Sequence, residues 1–499
     1  MIDLNTIVDG FSKEDKQTFV RYLQQRNKRR DTKNIELFKL LARQESKDVI
    51  LEKLYPNQSR ASYHALRKRL YSSLLDFVAN KALAEENSEE WQLRKELIAS
   101  QYFFKQKQYR TALRSLAKTE RKAAAIQAFG LLHEIYQTKI QYAFLDDSEP
   151  LEQLVTRFNR NRIKLGQEEQ LNLVYASLRK LFSQVIYKGK VVHLQQEMAT
   201  RFEEYNISLD DALTYKSLYQ LAQLANTAAF VTKDYYALDR FLLEKYQQIK
   251  REDIQADAQV YYHIQILYFV ANSFFRNKRF DQALIYLDSM NEVMQQQRRR
   301  YFKAFELKYR CLFALSLNYS GKPKKAMETL LPFIFKKVDD IETQLDIKLA
   351  AMVIYFQQRA FKEALQILSK IYHTDTWLEE KAGVEWVIQK NLVEILLHIE
   401  LENIDYVDAR LVSFQRKYAK YLKQIGQERV LIFLGFVKKV YHQPEIVRSN
   451  EFIKEVEEAF DWKTREYEDI FVMSFYAWLK AKMLGADIYT TTLELVDLK

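Results

Sequence analysis

One short string constrains this 499-residue chain more than any other: Phe280-Asp281-Gln282-Ala283-Leu284. Before it runs an apolar-periodic segment, Val260 to Phe275, closed by a basic hinge, Arg276-Asn277-Lys278-Arg279. After it, Leu284, Leu287 and Met290 recur at helical spacing. The spacing predicts helix, tight turn, helix, with Ala283 small enough to let the two helices approach closely. The same grammar returns at Phe361-Lys362-Glu363-Ala364-Leu365, Tyr109-Arg110-Thr111-Ala112-Leu113 and Pro323-Lys324-Lys325-Ala326-Met327, with a weaker copy at Tyr235-Tyr236-Ala237-Leu238. The chain reads as a repeat protein.

Composition agrees. Nine Gly and five Pro in the whole chain fall far below ordinary usage of roughly 7% and 5%, too few for the turns of an all-β or α/β protein. From Trp91 onward, junctions fall near Tyr109, Pro150, Val191, Tyr235, Phe280, Pro323, Phe361, Tyr406 and Ile446. Their separations are 41, 41, 44, 45, 43, 38, 45 and 40 residues. Two helices of about 16 to 20 residues with short turns fill such a period. The expected fold is therefore all-α: a superhelical array of antiparallel helix pairs over residues 91–499, with a closing helix from Trp462 to Gly485 and a polar tail from Thr490 to Lys499. Residues 1–90 lack the junction grammar and are expected to form a small helical domain. Ser12 with Asp15 three residues on caps its first helix, Asp31 its second and Ser46 a third ending near Leu54. Tyr55-Pro56-Asn57-Gln58 makes a turn, and Ser59 opens a long helix to about Ala84. The acidic run Glu85 to Glu90 is the expected boundary.

The clear junctions resemble tetratricopeptide repeats, in which a turn aromatic or Pro is followed by Ala and a large aliphatic residue. A small residue nine positions before the turn and an aromatic six before it also recur in that family. Ala271 and Phe274 match both before Phe280, Tyr355 matches the second before Phe361, and Ser100, Phe103 and Ala314 fit before Tyr109 and Pro323. The period is longer than that family's, no Gly sits at the matching turn position, and no Pro closes the repeats. The resemblance implies a groove lined by the first helix of each pair, receiving a peptide or partner helix. By offset from the junctions that face contains Gln220, Gln223, Thr227, Gln265, Tyr268, Asn272, Lys308 and Asn318. Its amides suit hydrogen bonds to an extended backbone.

Catalytic patterns are missing from the sequence. The seven histidines are spread along the chain with no HExxH and no pair three or four residues apart, so no helical zinc pair exists. There is no phosphate loop, no GxGxxG and no GxSxG. The expectation is a non-catalytic protein-interaction scaffold without cofactor or metal. Cys311 stands alone, which excludes an intrachain disulfide, and Met1 to Gly10 does not resemble a secretory leader. A cytoplasmic location is expected. The longest uncharged run, Ala258 to Phe275, carries Gln259, His263, Gln265, Asn272 and Ser273, so it reads as a buried repeat helix and no membrane insertion is expected.

The net charge of +11 is unevenly placed. Residues 20–70 hold 14 Lys/Arg against 5 Asp/Glu, and residues 101–125 hold 7 against 1. Arg110, Arg114, Lys118 and Arg121 recur as one stripe along a helix. Arg60, Arg67 and Lys68 lie on the helix after Tyr55-Pro56, whose outline with the short helix before it is that of a helix-turn-helix. Arg29 and Arg30 add two more cations. These nine residues support a second reading: a nucleic-acid-binding regulator with the basic N-terminal quarter as reader and the repeats as sensor.

Overall fold

The computed structural model describes residues 4–26, 32–56, 60–85, 89–145, 149–188, 194–205, 207, 214–232, 235–252, 259–336, 338, 340–460 and 470–496. Among these residues there is helix and no strand. In order come α1 (Leu4–Asp9), α2 (Lys13–Arg26), α3 (Lys33–Ala42), α4 (Lys47–Leu54), α5 (Arg60–Glu85), α6 (Glu89–Lys105) and α7 (Tyr109–Ala125). Then follow α8 (Phe129–Gln141), α9 (Leu151–Lys188), α10 (Leu194–Glu204), α11 (Tyr215–Thr232), α12 (Tyr235–Glu252), α13 (Val260–Arg276) and α14 (Phe280–Arg299). The chain continues through α15 (Phe302–Tyr319), α16 (Pro323–Ile334), α17 (Ile341–Gln357), α18 (Phe361–Leu368), α19 (Asp375–Ala382) and α20 (Val384–Glu400). It ends with α21 (Ile404–Gln424), α22 (Glu428–His442), α23 (Asn450–Ala459), α24 (Ile470–Leu484) and α25 (Ile488–Val496). Two compact units form: residues 1–123 with 141–146, and residues 124–140 with 147–499.

The junction strings mark helix starts as the sequence predicts. Tyr109, Tyr235, Phe280, Pro323 and Phe361 each open a helix, and Ala112, Ala283, Ala326 and Ala364 are wholly buried. The turn before each helix repeats one backbone motif. Lys107, Lys278, Gly321, Arg359, Glu402 and Gly426, each two residues before the next helix, are all left-handed, with φ of 58, 59, 80, 58, 56 and 67°. The following N–H reaches back to the carbonyl five residues earlier: Arg279 to Phe274, Ala360 to Tyr355 and Asn403 to His398, all at 2.9 Å. This is the Schellman closure, which satisfies carbonyls the helix end would otherwise leave bare.

Several expectations fail locally. Pro150 precedes not a helix pair but the 38-residue α9. Ile446 falls in a 3-10 turn, Pro444–Arg448, and Tyr406 lies two residues inside α21. Val191 and Asp31 lie outside the described residues. The closure at Gly426, before α22, carries no aromatic-Ala signature.

In the first unit, α1 to α5 enclose a core of Leu4, Phe19, Leu23, Phe38, Leu70 and Phe77. Ser12 and Asp15 exchange hydrogen bonds as a capping box at the start of α2, and Ser46 caps α4. In the second unit, helices preceding the junctions touch one another in succession: α11 with α13, α13 with α15, α15 with α17, α17 with α20.

The expected closing helix coincides with α24 over its described part, residues 461–469 lying outside the described residues. In α24, Ile470, Met473, Tyr476, Ala477, Trp478, Leu479 and Met483 are buried. It meets the last residues of three first helices. Arg276 lies 5.0 Å over the Phe471 ring, the Tyr319 and Ser474 hydroxyls are 2.7 Å apart, and Trp478 Nε1 donates to Glu400 at 2.7 Å. The segment expected to be a polar tail is mostly α25, where Thr491 and Thr492 are buried. Each threonine hydroxyl bonds the carbonyl four residues earlier, Asp487 at 2.8 Å and Ile488 at 2.7 Å, which hides its polarity inside its own helix.

Candidate interaction surfaces

The residues assigned to the groove divide into three groups. Gln265, Tyr268, Gln220 and Asn272 are half-exposed, and Gln223 and Lys308 are exposed. Two of these amides bridge neighbouring first helices: Asn272 Nδ2 donates to Asn226 at 3.2 Å, and Gln220 Nε2 reaches Asn172 of α9 at 3.5 Å. Asn318 is a correction. It is completely buried, its Nδ2 donates to Gln357 at 2.8 Å, and its backbone carbonyl accepts from Tyr489 at 2.6 Å. It cannot meet a partner, because α25 closes over it. The side chain of Thr227 lies outside the described residues.

Tertiary packing adds members that offset counting missed. Around Tyr268 of α13 gather Arg276 from the same helix, Cys311 of α15, and Glu342 and Asp346 of α17. Lys308 acts on Asp346 from α15. Tyr268 and Asp346 are both half-exposed. Burial, reinforced by Glu342 and Asp340 and opposed by Lys308 and Arg276, pushes the Asp346 carboxyl up to about 7. Burial also drives the Cys311 thiol well up, so it is inert as a nucleophile. The cluster thus holds a carboxyl that can donate or accept at neutral pH, beside a phenol and two cations. The only sequence signal was the i, i+4 pair Glu342 and Asp346, which is common on any helix.

A second polar cluster joins α19, α20 and α21. The buried ammonium of Lys390 lies 3.2 Å from Asp375 and 3.0 Å from Glu394, and Arg410 meets Glu394 at 2.6 Å. Burial alone would raise Asp375, but Lys390 and Asn391 hold it below the usual carboxylate value. Asp375, Asn391, Arg410 and Tyr418 help line a cavity of about 10 Å³, room for one water. The charges satisfy one another, so the cluster ties three helices together and leaves no reactive group over.

In the first unit, Arg110, Arg114, Lys118 and Arg121 are all exposed along α7, opposite its buried Ala112, Leu116 and Ala123. None of the four has an acidic partner among the described residues. Lys122, beside them, turns away to Glu96 at 2.6 Å. Lys68 is exposed on α5, whereas Arg67 is half-buried and donates to the Tyr63 hydroxyl at 3.2 Å. The side chain of Arg60 and all of Arg29 and Arg30 lie outside the described residues. Among the described residues, no three or more His, Cys, Asp or Glu are placed to hold a metal ion. No described helix is long and apolar enough to cross a membrane.

Compared with known proteins, the chain matches no family model, no curated protein and no solved structure.

Proposed function

We propose that this protein is a non-catalytic scaffold that receives a partner peptide or helix on the first-helix face of a superhelix of antiparallel helix pairs resembling tetratricopeptide repeats. The observation that supports the reading is the grouping of Tyr268 of α13, Lys308 of α15, and Glu342 and Asp346 of α17, all exposed or half-exposed. Gln265 and Asn272 continue it along α13. Phenol, ammonium and carboxyl groups side by side can hold a backbone or a charged side chain at several points, which fits recognition better than turnover. The working compartment in this reading is the cytoplasm.

A photo-crosslinking residue placed at Gln265 or Lys308 of the full chain, and at the exposed Asp281 and Asp288 of α14, tests it. Crosslinks to a discrete partner from the first pair, lost in Tyr268→Ala, are expected. Equal crosslinking from α14 refutes the assignment.

The exposed stripe on α7, without an acidic partner among the described residues, supports a second reading, in which this segment binds nucleic-acid phosphates. Its four cations span 11 residues, about 16 Å of helix.

A further inference from the structure

The first unit carries a groove that neither the repeat face nor the α7 stripe includes. Between α2 and α3 lies a shallow surface groove of about 580 Å³, lined by Lys16, Gln17, Val20 and Arg21 on one side and Phe38, Lys39, Ala42 and Arg43 on the other. Each wall carries two cations, Lys16 and Arg21 on α2, and Lys39 of α3 with Arg43 just past its end. Arg21, Lys39 and Arg43 are exposed, Lys16 is half-exposed, and none of the four has an acidic partner among the described residues. Two of the nearby acids form ion pairs elsewhere, and two accept from neutral donors. Asp15 holds Lys81 at 2.5 Å and caps α2, Glu36 accepts from Thr32, Asp9 accepts from Gln44, and Glu45 pairs with Lys53. The floor between the two rails is apolar: Val20 and Ala42 are half-buried above the fully buried Phe38.

We infer that this groove docks an acidic amphipathic peptide segment of a partner protein, its apolar residues on Val20 and Ala42 and its carboxylates on the four flanking cations. Two features favour a peptide over a nucleic acid. A phosphodiester strand has no use for an aliphatic floor, and the lining offers no exposed ring on which a base could stack, since Phe38 is buried. A peptide with apolar residues at i, i+3 or i+4 and i+7 between flanking carboxylates matches both floor and walls. With no acidic partner among the described residues, the cations favour encounter with an acidic partner and reject a basic one.

The test is selection of a displayed random peptide library on the full-length protein, counter-selected on the variant Lys16→Gln, Arg21→Gln, Lys39→Gln, Arg43→Gln. Expected are peptides with Asp or Glu around helically spaced Leu, Ile or Phe. Their binding should fall about tenfold or more in the quadruple variant and weaken with added salt. Ala42→Glu, which places a like charge on the floor while leaving the walls intact, should lose them too. An unchanged melting temperature for both variants separates lost docking from lost folding. Failure to enrich any peptide, enrichment of neutral or basic ones, or undiminished binding to the quadruple variant overturns the inference. So does displacement of selected peptides by a single- or double-stranded oligonucleotide that binds the groove more tightly.

Discussion

Replacing Arg359 or Glu402 by glycine should stabilise the second unit, although each change removes a whole side chain. Both residues occupy the left-handed position of the closure before α18 and α21, with φ of 58 and 56°. Both are exposed and form no ion pair among the described residues. A residue with a Cβ adopts that conformation at a cost of about 1–2 kcal/mol. Glycine adopts it freely, but its looser unfolded chain takes back about 0.4–1 kcal/mol. The difference leaves a gain of about 0.5–1 kcal/mol per site. The reciprocal experiment is available at Gly321, where φ is +80° and nothing lies within 4 Å of an added Cβ. Gly321→Ala should therefore lose about 1 kcal/mol through backbone strain alone. The assay is the urea midpoint followed by tryptophan fluorescence, with Arg359→Ala as the control that removes the side chain but keeps the Cβ. If Arg359→Gly is no more stable than Arg359→Ala, or Gly321→Ala matches the parent, the closure motif is not strained as argued.

Three further outcomes follow from other parts of the molecule. Asp346 has a folded-state pKa of about 7 against 3.8 for its ordinary value, so the native chain holds its proton more tightly than the unfolded chain. Stability should then rise as pH falls through 7 towards 4, and Asp346→Asn should remove that slope and stabilise the protein at pH above 7, by on the order of 2 kcal/mol; pH-dependent urea melts that stay parallel for the two proteins refute it. Lys390→Met leaves the buried Glu394 and the half-buried Asp375 without their shared ammonium, though Glu394 keeps Arg410, and should cost about 3 kcal/mol in thermal or urea unfolding, whereas an isosteric apolar replacement of all three should recover most of the loss. For the α7 stripe, the slope of log affinity against log salt on duplex DNA should flatten when Arg110, Arg114, Lys118 and Arg121 become Gln, by about 0.9 for each phosphate contact removed. An unchanged slope means the stripe is only a solvated face.

The sequence by itself determined the helical class and several helix starts, because the forces involved are local. Aromatic or proline at the helix start, alanine three residues on, and apolar residues at helical spacing act within one or two turns. They placed Tyr109, Phe280, Pro323 and Phe361 at helix starts and Ala112, Ala283, Ala326 and Ala364 in the core. The basic stripe was legible for the same reason, since a face is fixed once the helix is. Only the tertiary structure decided what met what. The polar cluster draws Tyr268, Cys311 and Asp346 from three helices, and Asn318 is buried by Tyr489, 171 residues away. Lys16, Arg21, Lys39 and Arg43 look like ordinary surface charges until α2 and α3 align them around one apolar floor. The C-terminal helices show the division most clearly. Threonines that read as a polar tail lie in the interior, because a hydroxyl bonded to its own helix presents only a methyl to its neighbours. Whether such neighbours exist is fixed by packing across the whole unit, which a local pattern does not encode.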